Sequence, residues 1–161
     1  MFYTEQESPV GKLLLVSDGE NLTGLYMEQE RRIYPQWQRR EDLPVFCSAR
    51  RWLDAYFAGE APKETVPLKL EGTAFQTRIW EILLTIPYGE TRTYGSIAGQ
   101  LARELGKKKM SAQAVGQAVG RNPVSILVPC HRVVGAGGKM TGYAGGIDRK
   151  AWLLRHEGVL K

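Results

Sequence analysis

Apolar positions change their period along this chain, and each change predicts an element. Over residues 2–6, 13–17 and 22–27 they form short β-rich runs, separated by Ser8-Pro9-Val10-Gly11 and Asp18-Gly19-Glu20-Asn21, both strong turn signals. This pattern predicts an antiparallel meander. Residues 31–42 are polar and interrupted by Pro35, so a loop or frayed helix is expected there. From Val45 the period lengthens: Val45, Ala49, Trp52, Leu53, Tyr56 and Phe57 recur at helical spacing until Gly59. That helix should cover the sheet, with Cys47 packed in it. Residues 59–71, with Pro62 and Pro67, read as a connector.

Beyond the connector the pattern is mainly helical. Thr73 and Gln76 form a capping-box pair, and Phe75, Ile79, Ile82, Leu83 and Ile86 give one apolar face that Pro87-Tyr88-Gly89 interrupts. Thr93 can cap a second helix with Tyr94, Ile97, Ala98, Leu101 and Leu105 inward and Gly106 at its end. After Lys107-Lys108-Lys109, Ser111 can cap a third helix over residues 112–119, whose side chains are almost all small or amide. Helix, short basic turn and small-residue helix is the layout of a helix-turn-helix. Small side chains let a helix approach a DNA groove closely, and Gln113 or Gln117 can reach a base edge or a gap in the stack. Tight packing against protein is the competing use of the same residues. A last helix, Ile147–His156, stops at Gly158. The elements predict an α/β (α+β) fold: an N-terminal α/β domain over residues 1–71 and a mainly helical C-terminal domain over residues 72–161.

Charge changes the picture more than composition does. Residues 1–71 hold 9 Lys/Arg against 12 Asp/Glu, net −3, whereas residues 72–161 hold 13 against 5, net +8. Such segregation suggests that the C-terminal part faces a polyanion, most simply nucleic acid, a solvated basic face being the alternative. The 43% apolar and 24% charged fractions are those of an ordinary globular chain, which argues against disorder. No apolar run is long enough to span a bilayer and the N-terminus lacks a signal-peptide layout, so no membrane partner and a cytoplasmic location are expected. Cys47 and Cys130 need not pair in a reducing compartment, and neither lies in a CxxC motif, so no metal is expected.

The candidate chemistry lies in Val128-Pro129-Cys130-His131-Arg132-Val133-Val134. Ordinary thiols titrate near roughly 8.5, so a nucleophile needs a neighbouring base or positive potential, and His131 and Arg132 can supply both. Pro129 fixes its own φ and biases Val128 to extended backbone, which predicts the thiol at the end of a strand. Asn122-Pro123 upstream marks a turn that can aim that strand. Glu157, following His156, can orient His131, so that Cys130, His131 and Glu157 make a nucleophile, a base and a group that holds the base. A buried structural cysteine with a chance histidine neighbour is the bland alternative.

These residues resemble the alkylguanine-DNA alkyltransferase family, the methylated-DNA-protein-cysteine methyltransferases. Pro129-Cys130-His131-Arg132-Val133-Val134 is similar to the family's active-site signature, with Asn122 at its hinge and Glu157 at its distance from the cysteine. Phe75-Gln76 with Trp80, Ile86-Pro87-Tyr88-Gly89-Glu90-Thr91 and Thr93-Tyr94 resemble the segment entering its helix-turn-helix, and Gly142-Tyr143-Ala144-Gly145-Gly146 its substrate-pocket loop. The resemblance implies single-turnover transfer of the alkyl group of 6-O-alkylguanine in duplex DNA to Cys130 after base flipping, without a cofactor, by a protein acting as a monomer. It implies that His131 works on Cys130 through a water, and that Tyr94 rotates the nucleotide. Tyr143, the Ala144 N–H and the carbonyls of Cys130 and Val133 would read the base. DNA contacts are implied from Thr93, Ser111, Ala112, Gln113, Ala114 and Arg121, with Gln113 where many members carry an arginine. Two rivals remain: a helix-turn-helix lesion sensor without chemistry, which in the family lacks the cysteine present here, and a cysteine hydrolase with the same triad types.

Overall fold

The computed structural model describes all 161 residues and divides them into two compact units, Met1–Glu71 with Pro123–Ser125, and Gly72–Asn122 with Ile126–Lys161. In the first unit β1 (Phe2–Gln6), β2 (Leu13–Ser17) and β3 (Leu22–Tyr26) form the expected antiparallel meander. Its turns are closed by side chains, as those sequences require. Ser8 Oγ donates to Gly11 O and accepts from Val10 N, and Asp18 Oδ1 accepts from both Glu20 N and Asn21 N. α1 (Pro44–Phe57) packs on β2 and β3 through a face that buries Val45, Phe46, Ala49, Leu53 and Tyr56. Cys47 on this helix is half-buried.

Residues 31–42 depart from the expected loop or frayed helix, because β4 (Gln38–Arg39) adds a parallel edge strand beside β1. Two exposed polar residues carry no alternation to reveal a strand. The pairing rests on Gln38 N to Met1 O and Arg40 N to Tyr3 O, reinforced by Arg39 bridging Glu5 and Glu41.

The second unit contains α2 (Ala74–Leu83), α3 (Tyr94–Glu104), α4 (Ala112–Gly120) and α5 (Ile147–His156), with a two-stranded parallel ladder of β5 (Arg92–Thr93) and β6 (Val133–Val134). The three caps form as the sequence signals them. Thr73 and Gln76 complete both halves of a capping box, Thr93 Oγ1 accepts from Ser96 N, and Ser111 Oγ accepts from Ala114 N. α2 ends at Leu83, earlier than its apolar face suggests: Thr85 N and Ile86 N turn back to Ile82 O and Leu83 O, and Ile86 stays buried in that tighter turn. Leu105 is 54% exposed rather than inward, because α3 stops one residue before it and Gly106 turns away at φ 66°.

α4 packs on α2 and α3, and one polar bond pins it: the buried Trp80 Nε1 donates to Ala118 O at 2.9 Å. Trp80→Phe would remove that donor and leave a void beside α4. A loss of about 1–3 kcal/mol in urea unfolding is expected, with α4 amides exchanging faster; unchanged exchange in α4 would contradict this role of Trp80.

Candidate active site

Cys130 is not at the end of a strand. It opens a 3-10 turn, Cys130–Arg132, and β6 begins only at Val133. The reason lies in Pro129. At φ −82°, ψ 65° it centres an inverse γ-turn, closed by Cys130 N donating to Val128 O at 2.8 Å. The same carbonyl accepts from Asn122 Nδ2 at 2.8 Å, so two donors clamp the peptide just before the thiol. Asn122 follows Arg121, the C-cap of α4, so this bond ties the end of the helix to the cysteine's turn. Between them, Ile126 is the one residue other than glycine with positive φ, 73°, and it is fully buried. A β-branched residue there costs roughly 1–2 kcal/mol, which its surroundings must supply.

His131 and Glu157 meet. His131 Nε2 and Glu157 Oε2 are 2.5 Å apart, and both side chains are fully buried. Glu157 is the C-cap of α5, so the helix end delivers the carboxylate. Arg132 grips the same group through a fork, Nε to Oε1 at 2.8 Å and Nη2 to Oε2 at 3.2 Å, and Gly89 N donates to Oε1 at 3.0 Å. A carboxylate so held stays ionised and cannot donate. Nε2 therefore carries the imidazole proton, and Nδ1, buried and without a protein partner, keeps the lone pair. Burial pushes the His131 titration down; Glu157 pulls it up, while Arg132 and Lys150 push it down. A neutral imidazole with an open Nδ1 can accept a proton. The sequence offered Arg132 as positive potential on the thiol, whereas its guanidinium is committed to Glu157 and, through Nη1 at 2.7 Å, to Ile86 O.

A second buried cation completes the site. Lys150, on the inner face of α5, donates from Nζ to Val133 O at 2.5 Å and Thr141 O at 3.0 Å, and lies 5.8 Å over the Tyr94 ring. Sequence reading passed it over. The signal was present, because Lys150 shares the stripe of Leu153, Leu154 and Glu157 at spacings of three, four and seven. The Val133 carbonyl, expected to read a base, thus has one lone pair already engaged. Tyr94 opens α3 and donates from its hydroxyl to Thr141 O and Gly142 O at 3.3 and 3.4 Å, tying the helix to the loop of Tyr143 and Ala144. The β5–β6 ladder sets Thr93 opposite Val134, which brings Tyr94 to the segment that follows the cysteine. Tyr143 is half-buried and Ala144 exposed.

On α4, Ala112, Gln113 and Gln117 are exposed and Ala114 is half-buried, while Arg121 is exposed at its end. The hydroxyls of Ser111 and Thr93 serve as helix caps, which leaves them at the solvent edge of α4 and α3. A Cβ on Gly116 would come 3.7 Å from the Tyr94 ring, so the middle of α4 lies against that tyrosine. A groove of about 680 Å³ runs between the start of α2 and α4, lined by Phe75, Gln76, Gln117 and Arg121 among others.

Comparison with known proteins places the chain in a family. A family model described as 6-O-methylguanine DNA methyltransferase, DNA binding domain, matches residues 74–159, and one described as the ribonuclease-like domain of the same proteins matches residues 1–71. The chain is 48% identical to a methylated-DNA–protein-cysteine methyltransferase of Methanosarcina acetivorans, over 98% of this chain and 99% of that one. It is 44% identical to that of Haemophilus influenzae, over 99% and 87%. The crystal structure of Mycobacterium tuberculosis OGT in complex with DNA superposes with a TM-score of 0.87 at 46% identity, covering 99% of this chain and 95% of that one.

Lys150 makes stability depend on pH in a direction of its own. Burial lowers it from 10.5 to about 8, with Cys130 opposing. Between those values the unfolded chain binds more protons than the folded one, so this group's penalty is full below about 8 and fades as pH rises toward 10.5. Burial raises Tyr26, Tyr88 and Tyr94 above 10.0, which works against stability at still higher pH. Melting curves should therefore show the native protein gaining on Lys150→Met between about pH 8 and 10. A difference that is flat with pH would remove the charged, buried Lys150.

Proposed function

The chain belongs to the 6-O-methylguanine DNA methyltransferase family, and from that premise we propose that it repairs duplex DNA by moving the alkyl group of 6-O-alkylguanine to Cys130. The observation that carries the assignment of roles is the buried pair His131–Glu157, adjoining the cysteine with Nδ1 open. In the step itself Cys130 Sγ forms a bond to the alkyl carbon, the carbon–oxygen bond breaks, and its electron pair goes to the guanine. The thiol proton passes to His131 and ultimately to the leaving guanine, so charge balances. Glu157 holds the imidazole throughout. Tyr143 and the Ala144 N–H face the base, where donors improve the leaving group, and Tyr94 crowds the phosphate to turn the nucleotide out of the stack. The product is a thioether, which thiol exchange cannot reverse, so each molecule acts once.

α4 is the element suited to the groove, with Ala112 and Ala114 permitting close approach and Gln113 filling the space of the extruded base. Ser111 and Arg121 flank it and Thr93 caps α3, and the phosphate contacts are assigned to these three. The basic surplus of residues 72–161 supports this surface, and the proposed working form is a monomer in the cytoplasm, where the thiol stays reduced. No helix is long and apolar enough to cross a membrane.

Intact mass after mixing with methylated duplex should rise by one methyl group, mapped to Cys130, while Cys130→Ala binds the duplex and gains nothing. A label on Cys47, or transfer by Cys130→Ala, would overturn the assignment. Mass unchanged with binding retained would favour the sensor reading.

Coupling within the site is tested by single-turnover rates on the folded fraction. His131→Ala and Glu157→Gln should each slow transfer by roughly 100- to 10,000-fold with duplex affinity nearly intact. The double variant should lose little more than the slower single one, because the two residues act as a unit. Additive losses would remove the coupled mechanism.

A further inference from the structure

Arg132 takes no part in the chemical step, yet it makes two polar contacts to Glu157 where His131 makes one. We propose that Arg132 is a positioning residue of the transfer site: by holding the Glu157 carboxylate ionised and fixed against the Gly89 N–H, it keeps the His131 proton on Nε2 and reserves Nδ1 as the base. The inference rests on the function proposed above and deepens it.

The guanidinium is oriented independently of its partner carboxylate. Nη1 donates to Ile86 O at 2.7 Å, and the Tyr88 ring lies 5.8 Å from its centre. Ile86, Tyr88 and Gly89 belong to one short segment, which supplies a carbonyl to Arg132 and an N–H to Glu157. Gly89 adopts φ 80°, and a Cβ there would come 3.3 Å from Glu157 O, so the segment follows a path reserved for glycine. The cage is built around the carboxylate, and the histidine is the one donor in it that, when neutral, also keeps a lone pair.

The consequence follows from charge. The charged groups acting on His131 are Glu157 at the end of α5, Lys150 on α5 and Arg132 in its own turn, and Cys130 directly precedes it in the chain. With Arg132 present, the buried carboxylate already has its compensating cation, and His131 is free to remain neutral. Without Arg132, the carboxylate recruits its charge from the nearest ionisable donor, which is His131 at 2.5 Å. An imidazolium has protons on both nitrogens and cannot serve as a base. The acid limb of transfer, which requires neutral His131, should therefore move to higher pH.

The chain has only two histidines, His131 and His156, so ring nitrogen-15 NMR reads the site directly once His156→Gln has assigned the signals. In the native protein at pH 7, His131 should be neutral with its proton on Nε2. In Arg132→Gln its titration point should rise by about one pH unit or more, and the acid limb of single-turnover transfer to methylated duplex should rise with it. Arg132→Lys, which keeps the charge without the fork, should hold the native limb at a reduced rate. A purely structural Arg132 would instead lower the rate by one factor at every pH and leave the His131 titration in place, and that result overturns the inference. Should Arg132→Gln fail to fold, the native spectrum still decides: a proton on Nδ1, or an imidazolium at pH 7, overturns it. If the tautomer and shift are found but native protein transfers nothing to Cys130, the function falls and the role of Arg132 stands; if transfer occurs without the shift, the role of Arg132 alone falls.

Discussion

The carboxylate of Glu157 is the group on which the second unit depends. A fully buried anion is tolerated only when its lone pairs and charge are met, and here four N–H groups meet them, from His131, from two positions on Arg132 and from Gly89. Those donors come from the turn holding Cys130 and from the segment after α2, while Glu157 itself closes α5. Three stretches far apart in sequence are thereby fixed to one point. Breaking any one contact leaves a buried charge short of a partner, so the cluster resists partial formation and forms as a unit.

A second constraint acts on the proposed nucleophile from the other side. Val128 O accepts from Asn122 Nδ2 and from Cys130 N, and the chain between Asn122 and Val128 tolerates Ile126 at positive φ to reach that arrangement. Asn122 comes directly after the C-cap of α4, the helix proposed to enter the DNA groove. One side-chain amide thus relates the DNA-reading element to the position of the thiol. The strain at Ile126 is explained by this geometry: the chain must leave α4, turn, and present Cys130 in a 3-10 turn rather than in a strand.

Much of the fold was legible because it rests on local signals. The turns at Ser8-Pro9 and Asp18-Gly19 and the caps at Thr73, Thr93 and Ser111 state their own hydrogen bonds in the sequence, and the structure makes those bonds. What escaped lacks a local period. β4 is two polar residues at an edge, and Leu105 obeys the helical spacing but falls beyond the helix end. The meeting of His131 and Glu157 could be expected from residue types and a family resemblance, whereas the fork of Arg132 could not. Arg132 beside a cysteine reads as positive potential on sulfur, and only the path of the 86–89 segment sends its guanidinium elsewhere. Lys150 stood on an apolar stripe in plain sight; a lysine there signals either a mistaken helix face or a buried charge with carbonyl partners, and the second holds.

On the proposed reading, the charges of the site select among the states of the reaction. Arg132 and Lys150 bring two cations to one carboxylate, and with neutral His131 the cluster carries a surplus positive charge both with a resting thiol and with a product thioether. Passing the thiol proton to His131 leaves that total unchanged but puts a negative charge on sulfur, where the surrounding cations favour it. An ionised Cys130 favours the charged form of Lys150, against the larger effect of burial. The field thus stabilises the reactive anion relative to the states on either side, which is the condition for an interaction to accelerate a step rather than merely to bind. The cation that provides the surplus also donates to Val133 O and Thr141 O, and so fixes the loop of Tyr143. Lys150 thus holds the base-pocket loop in place at a cost in burial that an ionised thiol offsets only in part.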